Sequence, residues 1–221
     1  MRLQLIIRSK NVVIPFNHQP NLVGTIHKWI GENDLHGKTS SFSFSRLNGG
    51  CKVDNPLGIY FERSTDMFIS AYNPAIIANI LNGIRRDPTM FNGLIVNDVI
   101  IVEDPDLSKQ ELFYPASPLL LKKWNENGNY DHIVYSDDEA NILLTKNFQN
   151  KLDKAGLHDE TAVASFIPEA GLPKVRLIDY KGVKNKTSWC PIRITGRPES
   201  KLFAWNAGLG NSTGIGFGAI K

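Results

Sequence analysis

Residues 73–102, NPAIIANILNGIRRDPTMFNGLIVNDVIIV, decide the fold. Asn73 before Pro74 reads as an N-cap with proline in the first helical turn, where a missing N–H costs nothing. Ile76, Ile77, Ile80, Leu81 and Ile84 then fall on one face at helical spacing, so an amphipathic helix is expected. Asp87-Pro88 stops that helix, and the mostly branched run Leu94 to Val102 reads as a strand. Upstream, Gly58 to Arg63 and Met67 to Tyr72 are expected to form a hairpin after the turn-rich Asn48-Gly49-Gly50. Ser41 to Leu47 alternates, with Phe42 and Phe44 two apart, as a half-buried strand does. Pro20 opens a helix carrying Leu22, Ile26, Trp29 and Ile30, weakened at its end by Gly31. Residues 3–7 form a short apolar strand. The whole reads as β-α-β-β-α-β, the ferredoxin-like unit.

Downstream the theme repeats less clearly. Strands are expected at about 112–121 and 131–135. Ser136 with Glu139 suggests a capping box for a helix bearing Leu144, Phe148 and Leu152 until Gly156. Further strands are expected at 173–180 and 188–196, then a short helix near Glu199 to Ala207 and a last strand from Ile215 to Ile220. Glu103-Asp104-Pro105-Asp106 is polar and turn-prone. The expected fold is therefore α+β, two tandem ferredoxin-like (RRM-like) βαββαβ domains at residues 1–104 and 105–221.

A chain of 221 residues suits two such domains, and 42% hydrophobic with 21% charged residues is ordinary globular composition. The longest apolar runs are far too short to span a membrane, and Arg2 precedes only a short apolar segment, not a signal peptide. Two cysteines, Cys51 and Cys190, make neither a disulfide framework nor a metal-ligand spacing, which points to a reducing cytoplasm. The net charge of +3 is small, but Lys174 to Lys201 holds eight basic residues against two acids, leaving the remainder at −3. A local basic surface of this kind fits a polyanion; it equally fits a solvated strand-loop-strand face.

The C-terminal run Gly208-Leu209-Gly210-Asn211-Ser212-Thr213-Gly214-Ile215-Gly216-Phe217-Gly218 places five glycines in eleven residues. Its backbone must turn sharply or be approached closely. Exposed N–H groups there could cradle phosphate, or the run could be a hairpin with bulges. It is neither a dinucleotide fingerprint, lacking the strand-then-helix context, nor a P-loop, lacking Gly-Lys-Ser/Thr.

This run resembles the signature loop of the RAMP superfamily, and most of all the CRISPR-associated endoribonucleases that process precursor CRISPR RNA. Met1-Arg2-Leu3-Gln4-Leu5 is similar to that family's first strand, and Pro15-Phe16-Asn17-His18-Gln19 to the segment before its first helix. Leu35-His36 followed by Phe42-Ser43-Phe44-Ser45, and Phe113 to Leu120 with Ser117-Pro118, resemble further family stretches in the expected order. The resemblance implies two ferredoxin-like domains and cleavage of CRISPR repeat RNA, from precursor to mature guide RNA. It further implies that no cofactor or metal is needed, that 2′,3′-cyclic phosphate and 5′-hydroxyl ends are left, and that effector-complex subunits or a second copy, as a homodimer, are the expected protein partners.

Such cleavage uses the 2′-hydroxyl as nucleophile, so it needs a base, an acid for the leaving 5′-oxygen and a cation for the phosphorane. Histidine suits both proton roles near neutral pH. His18, His27 and His36 cluster at the first helix and the loop after it, whereas His132 and His158 read as surface residues. The resemblance marks His36 as catalytic and puts His27 where relatives carry tyrosine or histidine. Lys38 stands where many relatives have a lysine, and is otherwise a solvated loop residue. The spacing of His18, His27 and His36 matches no metal motif. Gly208, Gly210, Gly214, Gly216, Gly218, Lys184, Lys186 and Arg193 are the expected RNA contacts. The alternative is a non-catalytic RNA-binding RAMP subunit of a CRISPR effector complex; an RRM-like reading lacks its Lys/Arg-Gly-Phe/Tyr strand.

Overall fold

The computed structural model describes residues 1–31 and 40–221. The elements of the first half are β1 (Arg2–Arg8), β2 (Val13–Ile14), α1 (Gln19–Ile30), β3 (Phe42–Phe44), β4 (Cys51–Asp54), β5 (Leu57–Tyr60), β6 (Ser64–Ala71), α2 (Pro74–Arg86) and β7 (Ile95–Val102). The main sheet runs β3-β6-β1-β7, all antiparallel, which is the strand order of a ferredoxin-like unit. Alternation along β1 sends Leu3, Leu5 and Ile7 to the helical side. There they meet Leu22, Ile26 and Trp29 of α1 and Ile76, Ile77, Ile80 and Ile84 of α2. Asn73 caps α2 as its sequence implies, its side chain accepting from the Ala75 N–H at 2.9 Å.

The expected hairpin between 58–63 and 67–72 does not form. Leu57–Tyr60 instead pairs with β4 and β2 in a separate three-stranded sheet, while β6 takes a central place between β1 and β3. Gly58 explains the choice: a Cβ there would lie 2.6 Å from the Ile14 carbonyl oxygen, so the glycine admits β2 alongside. Met67 to Ala71 are all buried, which suits an interior strand.

The second half contains β8 (Leu112–Phe113), β9 (Leu121–Trp124), β10 (Tyr130–Ile133), α3 (Ala140–Lys154), β11 (Val163–Phe166), β12 (Lys174–Tyr180), β13 (Val183–Trp189), β14 (Ile192–Thr195) and α4 (Pro198–Ala207). Its sheet runs β11-β14-β8, and an isolated bridge places Ile220 beside Pro115 at the end of β8. With Ile220 as the vestige of a fourth strand, the order repeats that of the first half. Two hairpins, β9–β10 and β12–β13, are inserted into this unit. A second core gathers Phe113, Leu144, Phe148, Leu152, Ile192, Ile194 and Phe203.

Several boundaries differ from expectation. The 112–121 strand splits because Pro115 and Pro118 cannot donate to a ladder, and the strand at 131–135 runs from Tyr130 to Ile133. The capping box at Ser136 is not made: α3 starts at Ala140, and Glu139 pairs with Lys123 at 2.5 Å instead. The strand at 188–196 is two, broken at Cys190-Pro191, and the four-residue β11 had no sequence signal long enough to read. The last strand is replaced by a 3₁₀ turn at Thr213–Ile215, because Gly216 and Gly218 adopt left-handed φ values of 93° and 69°. No described helix is long and apolar enough to cross a membrane.

The two halves meet along a seam. Arg2 of β1 donates to the Trp205 and Ile220 carbonyl oxygens at 3.0 and 2.8 Å, and Ser43 Oγ donates to that of Asn206. Gln19 Nε2 donates to the Ile215 carbonyl oxygen at 2.6 Å. The glycine-rich run is thus part of the seam.

Candidate functional site

Beside this seam opens a cleft of about 770 Å³. One wall is α1, whose apolar face is turned to the first core, leaving His27 on the flank. The His27 side chain is half-buried and lines the cleft, its ring edge-on to Phe42 at 6.2 Å. Four residues on, the Gly31 N–H closes the helix on the His27 carbonyl oxygen. Ser40, where the described chain resumes, also lines the cleft. His36 and Lys38 lie between these points, outside the described residues.

The facing wall comes from α3. Leu144, Phe148 and Lys151 share its buried stripe, so the lysine is drawn into the interior and is only 5% exposed. Its Nζ donates to the Gly208 and Ala207 carbonyl oxygens at 2.8 and 3.4 Å, at the C-terminal end of α4 where a cation is favoured. Burial pushes the Lys151 ammonium down to about 7. Lys154 and Asn147 line the same wall. The Asn147 Oδ1 and Thr213 Oγ1 atoms are buried with no hydrogen-bond partner among the described residues, so both keep bonding capacity at the cleft. At the rim, the β12–β13 turn places Lys181 and Gly182 at left-handed φ values of 52° and 82°. It presents Tyr180 and Lys181 to the cleft. None of the described residues lining it is acidic. Lysines, amides and hydroxyls without a carboxylate make a site for an anion.

The glycine-rich run forms the base of this cleft, with Gly210 and Gly214 on its surface. Gly208, Gly216 and Gly218 are packed beneath it. A Cβ on Gly218 would overlap the Leu209 carbonyl oxygen, so this glycine is dictated by close packing of backbone. Much of the loop's donor capacity is spent internally: Leu209 bonds to Gly218, Asn211 to Leu120, Gly218 to Pro118 and Gly216 to Thr213. The loop is therefore neither an open nest of amides nor a regular hairpin, but a knot between the two halves.

The expected basic contacts are not gathered in the cleft. Across the β12–β13 ladder Leu177 faces Lys186 and Asp179 faces Lys184, and this side of the hairpin is exposed. Asn185 and Thr187, on the other side, are buried. Arg193 alternates with buried Ile192 and Ile194, so it stands on the outer face of the second sheet. His18 is buried against Phe91, with Nδ1 2.8 Å from the Pro15 carbonyl oxygen, and burial lowers its pKa. The cleft residues that sequence reading missed are Lys151, Lys154, Asn147 and Thr213. Lys151 did leave a signal, a lysine at the apolar positions of α3.

Comparison with known proteins gives a consistent result. The family model described as CRISPR associated protein Cas6, C-terminal, matches residues 102–221. The chain is 24% identical to the CRISPR-associated endoribonuclease-like protein Cas6 of Pyrococcus furiosus, covering 100% of this chain and 97% of the relative. The similar protein Cas6nc of Pyrococcus horikoshii is 21% identical, covering 100% and 98%. Among solved structures, a Cas6-related protein from Pyrococcus furiosus superposes with a TM-score of 0.86 at 22% identity, covering 100% of this chain and 97% of that one. One described as an RAMP protein binding different RNA substrates gives 0.86 at 20%, covering 100% and 98%.

Proposed function

From the premise that the chain belongs to the Cas6 family of CRISPR-associated proteins, which process CRISPR RNA, we propose that it is a metal-independent endoribonuclease cutting CRISPR repeat RNA. The observation that carries this reading is the cleft itself: His27 on one wall, Lys151 and Lys154 on the other, and no carboxylate among the described lining residues. RNA seated there presents its phosphates to the lysines of the cleft and to the Thr213 hydroxyl, while the free Asn147 Oδ1 can accept from a ribose hydroxyl or a base N–H. A 2′-hydroxyl beside the scissile phosphate attacks the phosphorus, and the 5′-oxygen leaves. His27 and His36 share the transfer of the two protons, with Lys38 stabilising the phosphorane. The products are a 2′,3′-cyclic phosphate and a 5′-hydroxyl.

Residues 1–104 and 105–221 serve as the two domains. Gly210 and Gly214 approach the RNA directly, while Gly208, Gly216 and Gly218 hold the loop in shape. Lys184, Lys186 and Arg193 contact RNA outside the cleft, on the outer faces of their strands. The protein works in the cytoplasm, with a second copy or effector subunits as its protein partners.

The test is single-turnover cleavage of labelled repeat RNA in excess EDTA, followed by end-group analysis. Cyclic phosphate ends are expected, and His27→Ala and His36→Ala should each slow cleavage by about two to four orders of magnitude. Repeat RNA that is bound but left intact, or cleavage at the unaltered rate by both variants, would sink the assignment. The former result would instead identify a non-catalytic RAMP subunit.

A further inference from the structure

The inserted β9–β10 hairpin carries an arrangement that the cleft does not use. Leu121 and Ile133, a facing pair, are buried in the second core and anchor one side of the ladder. Alternation then puts Lys122 opposite His132, and Trp124 opposite Tyr130, together on the other side. Trp124 is 61% exposed and Tyr130 57%, large aromatic groups that burial would ordinarily claim. Their rings meet edge to face, with centroids 4.8 Å apart. Lys122 Nζ lies 5.8 Å from the Tyr130 centroid.

The turn behind them is firmly tied. Asn125 Oδ1 accepts from the Asn127 and Asn129 N–H groups at 3.1 and 3.0 Å, and its Nδ2 donates to Asp131 Oδ1 at 3.0 Å. The Asn125 N–H donates to the Asn129 carbonyl oxygen at 2.9 Å. Asp131 and Lys123 belong to the anchored side, where Lys123 pairs with Glu139. The aromatic side therefore carries cationic Lys122, the His132 ring, held towards its neutral form by burial and by Lys122, and no carboxylate from either strand. It is also continuous with the cleft, since the Lys122 N–H donates to Oδ1 of Asn211, a cleft-lining residue, at 2.9 Å.

We infer that the Trp124–Tyr130 side of this hairpin is a stacking platform for unpaired nucleotides of the RNA, beyond the cleft that holds the scissile phosphate. The inference rests on the reading of the chain as an RNA-binding protein. Exposed aromatic rings beside a cation take the π-faces of bases in any sequence, while the cation takes the phosphate between them. Paired bases, already stacked, offer the rings no face, so the platform selects single strands. Pre-ordering by the tied turn reduces the entropy lost on binding.

The experiment measures affinity of the full chain for a labelled oligoadenylate, alone and annealed to its oligouridylate complement. Trp124→Ala with Tyr130→Ala should weaken binding of the single strand by roughly 5- to 100-fold. Binding of the duplex should be unchanged, and Trp124→Phe with Tyr130→Phe should keep most of the affinity. Acrylamide quenching supplies a readout on the unaltered fold: the part of the fluorescence lost in Trp124→Phe should be shielded when oligoadenylate binds. Equal single-strand affinity in the double alanine variant, or a Trp124 equally quenched with and without oligoadenylate, would overturn the platform while leaving the cleft reading intact. Shielding of Trp124 by self-association, without RNA, would overturn it in favour of a dimer contact. No binding of either probe by the unaltered protein would overturn the platform; cleavage of repeat RNA in the same preparation would show that the cleft reading survives it.

Discussion

Replacing Arg2 should loosen the whole molecule, because this one side chain joins the two halves. It is 5% exposed, and its guanidinium lies between the rings of Phe68 and Trp205, at 3.7 and 3.6 Å from their centroids. Nε donates to Ser70 Oγ at 2.6 Å, and one terminal nitrogen to the Trp205 and Ile220 carbonyl oxygens. Burial lowers its pKa to about 9, opposed by Asp104, so it remains charged at neutral pH. Arg2→Ala removes two cation–π contacts, each worth about 1 kcal/mol. It also leaves two carbonyl groups of the seam without their donor, at about 1–2 kcal/mol each. Relief of guanidinium desolvation offsets part of this. A net loss of about 3 kcal/mol is expected from urea unfolding followed by circular dichroism. Arg2→Lys should recover less than half, since an ammonium cannot stack between two rings and serve three acceptors. Because the contacts cross the seam, the two halves of the alanine variant should also unfold at separate urea concentrations. A single transition displaced by less than about 1 kcal/mol would refute the reasoning.

Gly218→Ala should cost at least about 2 kcal/mol or prevent folding, since its Cβ meets backbone; Gly93→Ala, at φ 77° with open space around it, should cost only about 1 kcal/mol. Stability of the unaltered protein should rise with pH from about 7 towards 9. The unfolded chain keeps Lys151 protonated up to its ordinary 10.5 while the folded chain releases the proton near 7. In Lys151→Met that slope should vanish; the buried Cys190, pushed up to about 11, acts in the opposite direction only above its ordinary value of 9. Lys184→Ala with Lys186→Ala should make the salt dependence of RNA binding shallower, by about 0.7 for each phosphate no longer neutralised, with the saturated cleavage rate unchanged. An unchanged slope would mean that the outer side of β12–β13 faces solvent.

The helices, and the strands packed by them, were legible because their signals are local. Asn73-Pro74, the isoleucine stripe of α2, and the Leu144/Phe148/Leu152 stripe of α3 each declare themselves within a dozen residues. Short strands were not, because β8 has two residues and β11 four, and their pairing partners lie about thirty or more residues away in the chain. The hairpin wrongly expected at 58–72 failed for the same reason: which strand β6 joins depends on the burial of both its faces.

Sequence alone determined the α+β class, the two amphipathic helices of the first unit and the placing of His27 on a helix flank. It also determined that the C-terminal run must be glycine. Only tertiary structure decided what that run does. Gly208, Gly210 and Gly216 meet Ser43, Leu120 and Phe44, residues far off in the chain, so closely that a Cβ would press on them. The same assembly turned Lys151 inward while it turned Lys184 and Lys186 outward. A lysine's charge is written in the sequence, but whether it meets solvent, a carbonyl group or a ligand is set by the elements that close around it.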